Sequence, residues 1–249
     1  MKKTLLLASL ASAVVVLPAH ADFLGIYAGA GYWKNDMSGD LLGTSTSADN
    51  ELGLDSADLV QWYVNFEHPI PLIPNVRIAY SDIDQAGSGT LDSGITYDGN
   101  TYSGQVDSHL ALKMTDVTLY YELWDTGADF DVGVTGRKFD GYMQLSDPGG
   151  SNQASSSVND WVPMAYGNLR IDLPFTGLYA QVQGNGIAYS GNHIYDYSAL
   201  IGYTLDIPGP FDVGVEAGYR RLELKLSDIG DFNTDLDISG PFVNVTMHF

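Results

Sequence analysis

The chain has 249 residues, the length of a single domain, and carries 31 acidic against 11 basic side chains for a net charge of −20. That charge repels nucleic acid and broad anionic surfaces, and the absence of cysteine excludes disulfides, zinc–thiolate sites and thiol catalysis. No stretch beyond the first 21 residues reaches 18 continuous apolar positions, so the rest of the chain has no membrane-spanning helix.

The N-terminus reads as a secretory signal. Met1-Lys2-Lys3 is positively charged, an apolar run follows from Leu5 to Leu17, and Pro18-Ala19-His20-Ala21 ends in small residues at cleavage spacing. The expected signal peptide is 1–21, with the mature domain over 22–249. The run is shorter than the roughly 17–25 residues of a spanning helix. Loss of Lys2 and Lys3 leaves 9 basic and 31 acidic residues, a net charge of −22.

After the leader, apolar residues recur at every second position. This predicts ten strands, at roughly 23–34, 59–67, 76–84, 114–124, 129–140, 161–173, 178–189, 195–207, 211–225 and 237–249. Val60, Trp62, Val64 and Phe66 share one face of the second; Val117, Leu119, Tyr121 and Leu123 share one face of the fourth. Tyr195, Tyr197, Ala199, Ile201, Tyr203, Leu205 and Ile207 form the longest series. Ile95–Tyr102 reads as a hairpin turning at Asp98-Gly99, extending the wall beyond the main strands. An eight-stranded count follows instead if 76–84 or 161–173 belongs to a loop.

One apolar and one polar face per strand suits either a soluble sandwich or a membrane barrel whose apolar face meets lipid. The barrel is favoured by Tyr and Trp near strand ends, by strands longer than soluble sheets use, and by alternating short and long connections. It is also favoured by the end of the chain, where Val243, Val245, Met247 and Phe249 alternate up to a terminal aromatic. On these residues and the leader, the chain resembles the small single-domain outer-membrane β-barrel proteins of Gram-negative bacteria. The resemblance implies an all-β, transmembrane antiparallel up-and-down β-barrel. It makes the terminal series the assembly signal read by the barrel-assembly machinery; Met247 stands where an aromatic is commoner.

Short connections are expected at 68–75, 125–128, 174–177 and 208–210. Long ones are expected at 35–58, 85–113, 141–160, 190–194 and 226–236. Ten strands joined this way place both termini on the short-turn side, which is the periplasm.

Parity assigns each charge to a face. Arg77, Arg137, Arg170 and Arg220 fall on the polar, inward face with Glu67, Asp116, Glu122, Asp131, Asp172, Asp212 and Glu216. If Trp124 faces Asp129 across the turn, Glu122 lies opposite Asp131 and Asp116 opposite Arg137. Paired charges of this kind fill a narrow lumen. The alternative is a small passive, cation-preferring pore or a solute-binding barrel. Lys34, Lys138, Arg221 and Lys225 have lipid-facing parity at the long-loop ends. There they can pair with lipopolysaccharide phosphates or simply snorkel among outer-membrane lipids.

The long loops are acidic, with Asp36, Asp40, Asp49, Glu51, Asp55 and Asp58 in or beside the first. Asp228–Asp235 spaces oxygens as a site for divalent cations does, without the full EF-hand pattern or its closing Glu; a solvated turn is the competing reading. No cofactor or resident metal is implied. His68 and His248 lie at the periplasmic end, and His109 and His193 fall in outer loops beside Asp107 and Asp196. No nucleophile–base–orienter set is recognisable, so a structural or surface-interaction barrel with a filled lumen is expected, not an enzyme.

Overall fold

The computed structural model describes residues 24–42, 46–205, 211–229 and 232–249, with backbone alone for 227–229 and 232–233. The expected signal peptide, the turn at Pro208–Pro210 and the acids Asp228 and Asp231 therefore lie outside the description of side chains or of the chain itself.

Eleven strands form one antiparallel sheet: β1 Gly25–Leu41, β2 Thr46–Ser47, β3 Ser56–Glu67, β4 Asn75–Tyr97, β5 Asn100–Asp125, β6 Ala128–Ser146, β7 Gln153–Asp172, β8 Leu178–Tyr189, β9 Asn192–Leu205, β10 Asp212–Ile229 and β11 Phe232–His248. β11 pairs with β1 and closes the sheet into a barrel. The two-residue β2 pairs only with the end of β1, so the wall has ten strands and the eight-stranded alternative is set aside. Ile26 and Phe249 exchange backbone hydrogen bonds of 3.2 and 3.0 Å, placing the first and last strands' ends together at the short-turn end.

The strands run further toward the loop end than expected. Residues 85–113 are not a loop holding a small hairpin. β4 and β5 pair from Asn75–Tyr120 to Tyr97–Asn100 around Asp98 and Gly99, both with positive φ. Most of 141–160 likewise continues β6 and β7. The reason lies in a change of phase. In the turn-end half, Val64, Leu119, Ile201, Val215, Val243 and Val245 point outward and are exposed. In the loop-end half, Leu110, Leu112 and Met114 on β5, Leu222 and Leu224 on β10, and Leu236 and Ile238 on β11 point inward and are buried. Polar residues outside an apolar interior read as loop when an outward apolar face is sought.

One register expectation is corrected. Glu122 faces Asp131 and Asp116 faces Arg137, but Trp124 pairs with Phe130, because a bulge between Glu122 and Trp124 takes up Leu123.

Tyr32, Trp62, Trp161, Tyr195, Tyr197 and Tyr219 stand outward near the change of phase, and Tyr121, Trp124, Phe211 and Phe249 stand outward at the turn end. Two aromatic girdles thus flank an apolar belt, the exterior that hydrocarbon and its two interfaces solvate.

Candidate functional site: a charge-lined lumen

The inward faces build three layers. Midway, Arg137 is 1% exposed. Its Nε and Nη2 each donate to Asp116 at 2.7 Å, and Nη2 donates to Asp196 at 2.6 Å. Arg220 grips Asp196 from the other side, at 2.9 Å from Nε and 2.7 Å from Nη2, and reaches Gln61 and Ser81 through Nη1 at 3.1 and 2.8 Å. Its guanidinium lies 4.5 Å from the Trp33 ring centroid. Two cations and two carboxylates interleave, so each buried charge has an opposite partner and directed hydrogen bonds, the condition on which burial is tolerable.

Nearer the turns, Glu216 accepts from Tyr63 at 3.0 Å, Tyr179 at 2.8 Å and Asn244 at 3.0 Å. Arg77 donates to Asn65 at 2.6 Å and stacks 4.1 Å over Tyr63. At the turn-end mouth, Tyr120 donates to Glu67 at 2.7 Å and Asn168 to Asp131 at 2.8 Å. Arg170 is held by Asp172 at 2.9 Å and lies 3.7 Å over Tyr179. Glu122 is exposed at this mouth, and Asp212 sits 4.0 Å from His248 on the rim. A cavity of about 80 Å³ lies between the ionic and Glu216 layers, bordered by Gln61, Gln183, Asn185 and Asn244. That is room for a few water molecules against carboxamide walls.

The third layer is apolar. Trp33, Met37, Leu59, Ile83, Leu110, Met143, Leu222 and Ile238, each at most 2% exposed, fill the loop-end half. The segment Thr46–Asp55 folds inward over them with Ala48, Leu52 and Leu54 buried. Its backbone lies so close to β4 that a Cβ on Gly87 would come within 2.4 Å of the Gly53 oxygen, and one on Gly89 within 2.1 Å of the Glu51 oxygen. Ser108 donates to the Leu52 carbonyl at 2.6 Å. At the tip, the Tyr97 hydroxyl donates to the Met143 carbonyl at 2.8 Å and accepts from the Ser156 amide at 2.9 Å, tying the β4–β5 hairpin to β6 and β7. Burial pushes that phenol above its ordinary range.

All eleven residues expected in the lumen have inward parity, and the ionic layer joins Asp116, Arg137 and Arg220. Asp196, the centre of that layer, was missing from the expected set. Parity shows it, since Tyr195 and Tyr197 on either side face out. Proximity to His193 is corrected accordingly: His193 faces out and stacks on Tyr195, 4.9 Å between centroids. His109 also departs from expectation. It lies on β5, not in a loop, and its Nε2 meets Asp84 at 2.6 Å, while Asp107 is taken by Ser88. Its Nδ1 lies 3.2 Å from the Tyr142 hydroxyl. Among the described residues no Ser or Thr hydroxyl hydrogen-bonds His109.

Arg221 is paired with Asp237 and Glu223, Lys225 with Asp235, and Lys138 with Asn159; Lys34 stands opposite Asp58. Val243, Val245, Met247 and Phe249 all face outward. Among the described residues no three His, Asp or Glu side chains gather closely enough to hold a metal ion.

No protein-family model matches the chain, and no curated protein matches it. Among solved structures, the attachment invasion locus protein Ail of Yersinia pestis is 9% identical, covering 90% of this chain and 98% of its own, with a TM-score of 0.36. A Pseudomonas aeruginosa FadL homologue is 9% identical, covering 92% and 90%, with a TM-score of 0.36. Likeness at this level transfers no residue roles.

Proposed function

We propose that the protein is a non-conducting outer-membrane barrel of surface-interaction type. In this reading the termini lie in the periplasm and the extended loop-end sheet stands outside the cell. The observation that carries it is the double seal of the lumen, an ionic layer around Arg137 backed by an apolar layer under the segment Thr46–Asp55. A water path would have to break both. The apolar belt between two aromatic girdles supports the membrane, and the outward series ending at Phe249 supports handling by the barrel-assembly machinery. Lys34, Lys138, Arg221 and Lys225 ring the outer girdle where lipopolysaccharide phosphates lie. Because acids already engage two of them, Arg221 and Lys225, a phosphate contact there must compete with Asp235 and Asp237.

The test is conductance of the refolded full-length protein in planar bilayers. Sealed bilayers with only rare transient currents are the expected result, and a steady cation-selective channel overturns the reading.

A further inference from the structure

The wall is not of even height. β8 and β9 join through a turn at Ser190-Gly191, and the β7–β8 ladder ends at Ala165–Gly186. β7, however, stays paired with β6 up to Ser146–Gln153. Over 153–164, β7 therefore has β6 on one side and no paired strand on the other among the described residues.

Local chemistry marks this edge as built to stand open. Pro163 pairs with Gly136 within the β6–β7 ladder. A proline fits there only with its nitrogen turned away from β6, toward the open side. The edge thus loses one donor at the level of exposed Trp161, where an unpaired N–H near lipid costs most. By the same alternation, Ser155, Ser157 and Asn159 direct their N–H and C=O groups to the open side where water is available, and Trp161 does so at the membrane interface, the wet limit of the edge. The far side of the same extension is covered by the chain's own segment Thr46–Asp55, whose Glu51 accepts from the Asp92 amide at 3.0 Å. One flank is closed in cis and the other is left as a template.

We infer that the β7 edge over Ser155–Trp161 is a docking site at which an extended, basic segment of another protein adds a strand. Strand addition takes its affinity from the backbone ladder and its selectivity from alternate side chains. Inward-pointing Ala154 and Val158 extend the apolar face that alternate residues of the guest would join. The charge of the guest follows from Asp140, Asp147 and Asp160 around the edge; the nearby Lys138 is taken up by Asn159. A second copy in the same membrane is a poor guest. Its β7 runs the same way, and a two-fold axis along the membrane normal cannot bring two such edges into an antiparallel ladder. The inference rests on the reading that the loop end faces outward from the cell.

The test uses the refolded full-length protein in detergent micelles and three fluorescent peptides of roughly nine residues, enough to span the edge at about 3.3 Å per residue. One alternates Lys and Val, one alternates Glu and Val, and one is the Lys–Val peptide N-methylated at alternate residues. The Lys–Val peptide is expected to bind, and the other two at least about tenfold more weakly, which corresponds to about 1.4 kcal/mol. In hydrogen exchange, the amides of Ser155, Ser157, Asn159 and Trp161 are expected to exchange fast in the free protein and slowly with the Lys–Val peptide. Ser157→Pro should weaken binding to the same degree. Protection of those four amides in the free protein overturns the inference, as does equal binding of the N-methylated peptide or a folded S157P barrel that binds normally. If S157P does not fold, exchange and the N-methylated peptide still decide. A conducting channel in bilayers strikes the sealed-barrel reading and leaves this binding result standing; failed strand addition does the reverse.

Discussion

The two halves of the wall use the same strands in opposite senses. Along β5, Val117, Leu119 and Tyr121 face out at the turn end, while Leu110, Leu112 and Met114 face in at the loop end. Along β10, Val215 and Tyr219 face out and Leu222 and Leu224 face in. A strand has one period but two phases, and the phase is set by which side is wet. In the belt, lipid lies outside and the polar groups satisfy one another inside. Beyond it, water lies outside and the barrel is built like a soluble one. The point where the phase inverts therefore marks the loop-end limit of the apolar belt from sequence and burial alone.

Six substitutions break or sharpen this contrast. The largest effect is expected at the junction. Arg137→Ala leaves Asp116 buried without its cation and should destabilise the barrel by about 3–5 kcal/mol. Adding Asp116→Ala should recover part of the loss, because Arg220 still holds Asp196. Urea unfolding in lipid vesicles followed by Trp fluorescence reads both, and strictly additive losses would sink the pairing. Next is the apolar layer. Leu222→Ala opens a cavity that no solvent fills and should cost about 2–5 kcal/mol. Leu119→Ala, on the lipid face, should cost markedly less, because acyl chains fill the gap; equal costs would erase the distinction between the halves. Ile201→Arg in the belt should cost about 2–4 kcal/mol or block assembly, seen as loss of heat-modifiable migration on gels. A soluble, folded Ile201→Arg protein would show that the belt does not meet lipid. The smallest effect is at the outer girdle, where Arg221→Ala should leave the unfolding midpoint unmoved, since its exposed pair with Asp237 is screened by water and salt.

Much of the turn-end half was legible in the sequence. Val243, Val245, Met247 and Phe249 show the outward face directly, and the facing of Asp116 and Arg137 follows from counting through a short turn. The bulge at Leu123 could not be counted in advance, because nothing in Leu123-Trp124 distinguishes it from regular strand. Asp196 was legible by parity and obscured by His193 three positions earlier. The loop-end half was hidden for a physical reason. Its outward residues, such as Asp82, Asp84 and Asp140, have the composition of loops because water is their solvent. The inward packing of Leu52 and Leu54 has no local signature at all, since an inserted segment is recognised only by the surface it meets.

The seam between β1 and β11 runs from Tyr27–His248 to Asp40–Asp235. Every other ladder between wall strands joins sequence neighbours and can zip as a hairpin while the chain is still incomplete. The seam joins residues as far apart as Tyr27 and His248, 221 positions along the chain. Closing it requires the whole chain and takes the largest loss of chain entropy in one step. The costliest closure is therefore the meeting of the two edges of the sheet. Until then the two open edges and the unfinished interior are exposed together, and this is the interval in which a chaperone or an assembly template has most to protect.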